Sequence, residues 1–170
     1  MIPEIRAATH ADLPSLHPVI ERAYRGISAR LGWTHEADLV VGPRTDRATL
    51  AAIVDDSASR LLVALDGETI LGCVHVENRG TGLAYLGLLS VDPRLQSAGL
   101  GRSLIDAAEA AARTLFAASR IEMTVIDVRA ELIAWYERLG YARTGEHRPF
   151  PVPLDPPLRL TVLAKPLSPG

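Results

Sequence analysis

Apolar residues along this chain recur at two spacings, every second residue in some stretches and every third or fourth in others. The first spacing predicts strands and the second amphipathic helices. Residues 2–7 read as a short strand. Thr9-His-Ala-Asp12 resembles a capping box with Asp in the place of Glu, and it opens an apolar-periodic helix that runs towards Tyr24. Over 26–44 the periodicity lapses into Gly26, Gly32, Gly42 and Pro43, with Trp33, His35 and Glu36 between them. Ordered connections of that length are often functional. Leu50, Ile53 and Val54 at helical spacing, after the capping residues Thr45 and Asp46, predict a second helix over 46–56.

Three strand-like runs follow, at 60–65, 69–77 and 83–91. Asp66-Gly67 between the first two supplies the positive φ of a tight hairpin turn, and the break at 78–82 leads to the third, so an antiparallel meander is expected. Asp92-Pro93 ends it. Leu100, Leu104, Ile105, Ala108, Ala111, Ala112, Leu115 and Phe116 then form one stripe of a long helix, with Arg102, Asp106, Glu109 and Arg113 assigned to its polar side. A strand over 121–127 and a helix over 131–139 come next. That helix carries Leu132, Trp135, Tyr136 and Leu139 on one face and stops at Gly140, a left-handed cap. A strand beginning at 141–145, a proline-dense loop over 149–157 and a last strand over 158–164 complete a mixed α/β (α+β) pattern without internal repeat.

Composition narrows the class. Of 170 residues, 48% are apolar and 22% charged, the balance of a globular domain rather than of a disordered, collagen-like or coiled-coil chain. Residues 1–170 are expected to form one domain whose core needs neither metal nor disulfide. The 18 basic and 20 acidic residues leave a net charge of −2 and no basic face, so no nucleic-acid partner is expected. The longest apolar runs, such as 70–76, are strand-length and far short of the ~20 residues of a membrane helix. Residues 1–20 carry Glu4, Arg6, His10 and Asp12 where a secretory signal would be apolar, and the lone Cys73 fits a reducing compartment. The cytoplasm is the expected location. His10, His17, His35, His75 and His147 have no metal-ligand spacing and no partner cysteines, so no metal is expected.

Chemistry concentrates between the third strand and the long helix. Val91-Asp-Pro-Arg-Leu-Gln-Ser-Ala-Gly-Leu-Gly101 is a glycine-containing turn that delivers backbone N–H groups to a helix N-terminus, the arrangement that cradles phosphate. An isolated G-x-G is also an ordinary strand-to-helix turn. A dinucleotide fingerprint would need glycine at 104, where Leu104 stands, and a P-loop would need Gly-Lys, which is absent.

Gln96-Ser97-Ala98-Gly99-Leu100-Gly101 resembles the Q/R-x-x-G-x-G/A acyl-CoA signature of the GCN5-related N-acetyltransferases (GNAT). Leu86-Gly-Leu-Leu-Ser-Val-Asp-Pro93 is similar to that family's central strand. Ala134-Trp-Tyr-Glu-Arg-Leu-Gly-Tyr141 is similar to its late helix and the strand after it, and the order of elements agrees along nearly the whole chain. The resemblance implies a mostly antiparallel sheet of six to seven strands, splayed at a central-strand bulge and flanked by about four helices, with acyl-CoA lying in the opening. It implies that Leu89, Ser90 and Val91 offer main-chain groups to the pantetheine arm. Gln96, Ser97, Ala98, Gly99, Leu100 and Gly101 would hold the pyrophosphate, with Ser103 as a side-chain donor. Arg94 and Arg102 either meet outer phosphates or are solvated charges. Tyr136 matches the helical tyrosine that protonates the departing thiolate, although spacing alone reads it as a core aromatic with a polar tip. Many members carry Asn seven residues before that tyrosine; here Arg129 stands there.

The implied activity is N-acetyl transfer from acetyl-CoA to a primary amine of a small molecule or of a peptide or protein. Transfer would be direct, through a tetrahedral intermediate whose oxyanion a backbone N–H near Leu89 stabilises. The amine must lose a proton, yet the expected glutamate is missing from 85–91. His75 and Glu77 on the preceding strand and Glu122 on the following one are the base candidates. Glu77 also reads as a solvated strand end and His75 as a core histidine, and parity puts both on one face with Leu71 and Cys73. Cys73 itself reads as packing rather than as an acyl carrier. Trp33, His35, Glu36 and the segment from His147 to Phe150 fall where the family walls its acceptor pocket, and prolines 149, 151 and 153 would stiffen that wall; the same residues read equally as surface loop and edge protection. Homodimers are common among such proteins. A non-catalytic acyl-CoA-binding module and a nucleotide-phosphate binder are the competing readings.

Overall fold

The computed structural model describes residues 3–24, 45–95, 99–150 and 157–168. In chain order the elements are β1 (Glu4–Ala7), α1 (Leu13–Tyr24), α2 (Arg47–Asp55), β2 (Ser59–Asp66), β3 (Thr69–Gly80), β4 (Leu83–Val91), α3 (Leu100–Phe116), β5 (Arg120–Ile126), α4 (Ala130–Arg138), β6 (Ala142–Pro149) and β7 (Arg159–Pro166). One 3-10 turn, His10–Asp12, leads into α1, and Thr9 and Asp12 form the capping box expected there. Asp46 caps α2 by accepting from the Thr49 N–H at 2.7 Å. Gly67 has φ +62° in the β2–β3 hairpin. β3 runs on to Gly80, three residues past the expected end, and turns through Thr81 and Gly82.

The seven strands form one sheet in the order β1-β2-β3-β4-β5-β7-β6, antiparallel except for β4 against β5. A parallel pair needs a crossover, and α3 supplies it. Helices cover both faces. One core joins α3 and α4 to the sheet through Leu104, Ile105, Ala108 and Ile133; the other joins α1 and α2 through Leu16, Ile20 and Leu50. Residues 61–65 of β2 are therefore buried without alternation, as strands covered on both sides are.

Two sequence expectations are corrected by packing. Ala64 pairs with Gly72 while Leu65 pairs with Ile70, so Leu71 is an extra residue in β3. The bulge turns Leu71 into the α3 core, whereas Cys73 stays in the α1 core, and the shared face predicted by parity breaks at Leu71. Glu109, assigned to the solvent side of α3, is 5% exposed. It accepts from the Tyr141 hydroxyl at 2.8 Å and pairs with Lys165 Nζ at 3.0 Å, a partnership between α3, the turn from α4 to β6 and β7 that no local pattern displays.

Candidate functional site

The middle of β4 does not run straight. Cys73 pairs with Ser90 but His75 pairs with Gly87, so Val74 faces two residues, Leu88 and Leu89. Leu88 takes a left-handed backbone, φ +55°, which costs a residue with a Cβ about 1–3 kcal/mol and persists only where the surroundings impose it. Here its side chain is buried in the α1 core, and its carbonyl accepts from Ser90 Oγ at 3.0 Å and Cys73 Sγ at 3.5 Å. The Leu89 carbonyl accepts from the hydroxyl of Tyr24, the last residue of α1. Gly72 is indispensable beside the bulge, because a Cβ there would lie 2.4 Å from the Ser90 carbonyl oxygen.

β4 and β5 pair only over Leu83–Tyr85 and 120–122. Beyond that short ladder they part, leaving a V-shaped opening that has its tip at Tyr85 and Glu122 and widens towards Val91. At the wide end stands the N-terminus of α3. Gly99 caps it with φ +81°, and among the described residues nothing lies within 4 Å of where its Cβ would stand. Gly101 serves packing as well: a Cβ there would sit 3.2 Å from the Trp135 ring and 3.9 Å from Val91. Thus the end of β4, the first turn of α3 and the aromatic face of α4 converge, although they are separated in sequence. The glycine cap, the helix dipole and a bulged strand whose flank beyond Tyr85 pairs with no strand on the β5 side among the described residues together fit an anionic group followed by an extended arm.

Asp92 holds the turn between β4 and α3. Its buried carboxylate accepts from the Arg94 backbone N–H at 3.1 Å, from the Arg94 guanidinium at 2.8 Å and from Arg22 at 3.4 Å. Arg94 is thereby engaged with Asp92, with most of its side chain in solvent. These hydrogen bonds, led by the Arg94 side chain, hold the Asp92 carboxyl down at about 2, and Arg6 does the same for Asp12. A carboxylate depressed in the folded state stabilises above its ordinary value near 4 and loses that contribution as pH falls towards 2. Urea unfolding between pH 5 and 2 should therefore show stability falling most steeply below pH 4. Asp92→Asn should be less stable at pH 5 and show a shallower fall; a parallel curve would refute the assignment.

The other expected site residues lie as follows. Ser90 and Val91 are buried at the end of β4, and Leu89 is half-buried. Leu100 is buried under the first turn of α3; Arg102 and Ser103 are exposed, and the Ser103 hydroxyl donates to the Gly99 carbonyl at 3.2 Å. Gln96, Ser97, Ala98, Trp33, His35, Glu36, Pro151 and Pro153 lie outside the described residues. Tyr136 is 7% exposed, with its ring edge-on to Trp135 at 5.0 Å and to Tyr141 at 6.1 Å. Arg129 is buried at the start of α4, 3.2 Å from Glu131.

The base candidates occupy different settings. The His75 imidazole is 3.0 Å from Ser59 Oγ on β2, away from the opening, and burial holds its pKa below the ordinary value. Glu77 is half-buried and paired with Arg79. Glu122 is buried at the tip of the opening and receives Arg148 at 3.0 Å. His147 is exposed on the edge strand β6, opposite Thr161. Among the described residues no three His, Cys, Asp or Glu side chains gather as a metal site, and no helix is long and apolar enough to cross a membrane. Sequence reasoning missed Tyr24, Gly72, Tyr85, Thr124 and Arg148, whose roles depend on partners far along the chain. Asp92 alone had a local signal, an Asp-Pro-Arg turn at a strand end.

Comparisons with known proteins agree with this geometry. The sequence model of the Acetyltransferase (GNAT) family matches residues 24–141. A search of curated proteins found no match. Among solved structures, the ribosomal-protein-S18-alanine N-acetyltransferase from Escherichia coli superposes with a TM-score of 0.74 at 20% identity, over 98% of this chain and 95% of that one. A spermidine N-acetyltransferase chimera of Vibrio cholerae SpeG and hSSAT gives 0.75 at 17% identity, over 98% and 96%. The structure of yncA from Salmonella typhimurium with its cofactor acetyl-CoA gives 0.74 at 18% identity, over 99% and 95%. At these identities the likeness is one of fold.

Proposed function

Because the chain belongs to the Acetyltransferase (GNAT) family, we propose that it is an N-acetyltransferase. It would transfer acetyl directly from acetyl-CoA to a primary amine of a small molecule, peptide or protein. The observation that carries this reading is the bulged β4 parting from β5 directly beside the glycine-capped N-terminus of α3. The pyrophosphate belongs at Gly99, Leu100 and Gly101, together with Gln96, Ser97 and Ala98 before them. The pantetheine arm lies along residues 89–91, with the Leu89 N–H facing the thioester carbonyl. Acetyl-CoA supplies the activated acyl group, and the chain's own residues orient it and move two protons.

Tyr136, beside the Trp135 that packs on the first turn of α3, gives its proton to the departing thiolate. For the proton leaving the amine, placement favours Glu122. It stands at the tip of the opening, although its carboxylate is held by Arg148 as that of Glu77 is by Arg79, whereas His75 turns away to Ser59 on β2. Residues 1–170 are taken as one such domain, located in the cytoplasm. A non-catalytic acyl-CoA-binding module is the second reading, favoured by the lack of any carboxylate on β4. Release of CoA with some amine separates the two.

Calorimetric titration of acetyl-CoA tests the cofactor and its place. Wild type should bind, and Gly99→Glu, which puts bulk and charge into the open cap, should lower affinity at least about tenfold. Since φ at 99 is left-handed, Gly99→Asn is the control for backbone strain and should bind better than the glutamate variant. Failure of wild type to bind would discard both acyl-CoA readings and turn attention to nucleotides.

A further inference from the structure

The tip of the opening is closed by more than the strand ladder. Tyr85 is the last residue of β4 paired with β5. Its ring runs along its own strand over Gly87, where a Cβ would meet Tyr85 Cε1 at 3.2 Å. Its hydroxyl lies 2.7 Å from Thr124 Oγ1 on β5, two residues past the last paired residue, Glu122. The Arg79 guanidinium covers the ring at 4.4 Å from its centroid, and Arg79 is in turn paired with Glu77, the β3 partner of Tyr85. The phenol is thus a fixed side-chain bar across the narrow end of the V, and Gly87 is the residue that leaves room for it.

We propose that the Tyr85–Thr124 bar sets the length of acyl chain the protein accepts, admitting acetyl and excluding straight chains of four or more carbons. The inference rests on the acetyl-CoA reading above. On that reading the thioester carbonyl faces the Leu89 N–H, two strand residues, about 7 Å at ~3.3 Å per residue, from Gly87, over which the Tyr85 ring lies. With the pyrophosphate at the wide end, beside Gly99, the arm enters towards the tip and its acyl end meets Tyr85. An acetyl group stops short of the bar, whereas a butanoyl group must displace a ring held on β4 by Gly87 and Arg79 and on β5 by Thr124. In an apolar pocket one surplus methylene alone changes affinity by roughly 10–200-fold.

The test is calorimetric titration of acetyl-CoA and butanoyl-CoA into wild type, Tyr85→Ala and Thr124→Val, each checked for a cooperative thermal transition. Wild type should prefer acetyl-CoA by about tenfold or more. Tyr85→Ala should bring the two affinities within about threefold, chiefly by strengthening butanoyl-CoA. Thr124→Val keeps the ring but frees its hydroxyl, and should fall between. Should Tyr85→Ala not fold, the Thr124→Val ratio decides, and a wild-type ratio there overturns the proposal. A wild type that binds both chains equally, or a folded Tyr85→Ala that keeps the wild-type ratio, overturns it while leaving the acetyl-CoA reading in place. No binding of either ligand by wild type overturns both.

Discussion

Replacing Tyr136 by Phe is expected to lower kcat about a hundredfold while leaving the affinity for acetyl-CoA within about threefold. The substitution removes one oxygen from a side chain that is 7% exposed and keeps the ring whose edges meet Trp135 and Tyr141. Packing is conserved, so the thermal midpoint should move by only a few degrees. What would be lost is the donor proposed for the thiolate, and a positioned acid contributes roughly 10²–10⁴ to such a step. Steady-state CoA release and calorimetry read the two quantities separately. If kcat is unchanged, thiolate departure needs no help from this residue, and Tyr136 is the core aromatic that its helical spacing also describes.

Lys165→Met should destabilise the fold by about 3 kcal/mol, near 10 °C in the thermal midpoint of a chain this size. Glu109 is inside the α3 core, with Lys165 Nζ at 3.0 and 3.2 Å from its two oxygens and the Tyr141 hydroxyl at 2.8 Å. Burial, then the Glu109 charge, push the Tyr141 phenol far above its ordinary ionisation range, so Tyr141 remains the donor. Removing the ammonium leaves a buried carboxylate with a single neutral donor. That uncompensated charge costs far more than the pair is worth, so the double variant Lys165→Met/Glu109→Gln should recover most of the loss. Chemical denaturation of wild type, Lys165→Met, Glu109→Gln and the double variant reads the coupling directly. A loss below about 1 kcal/mol in the single variant would mean that the pair behaves as a surface one.

The sequence by itself determined the elements and their order, because the signals for them are local. The Thr9 box, the Asp46 cap, the Gly67 turn and the stripe from Leu100 to Ala112 each act within a few residues of themselves and stand where the pattern predicts, whereas Leu115, assigned to the same stripe, is 52% exposed in the last turn of α3. The motif resemblance at Gly99 and Gly101 also needed only neighbouring residues. Tertiary structure decided everything that depends on register or on distant partners. The Leu71 bulge reversed a parity argument, since one extra residue moves a side chain to the opposite face of the sheet. Glu109 looked solvated because its cation lies 56 residues away. The left-handed Leu88, the parting of β4 from β5, the Tyr24 hydroxyl on the Leu89 carbonyl and the Tyr85–Thr124 bar exist only because strands and helices far apart in the chain were brought into contact. A sequence displays spacing along one dimension, whereas these contacts are set by packing in three, where buried polar groups must find partners wherever the fold supplies them.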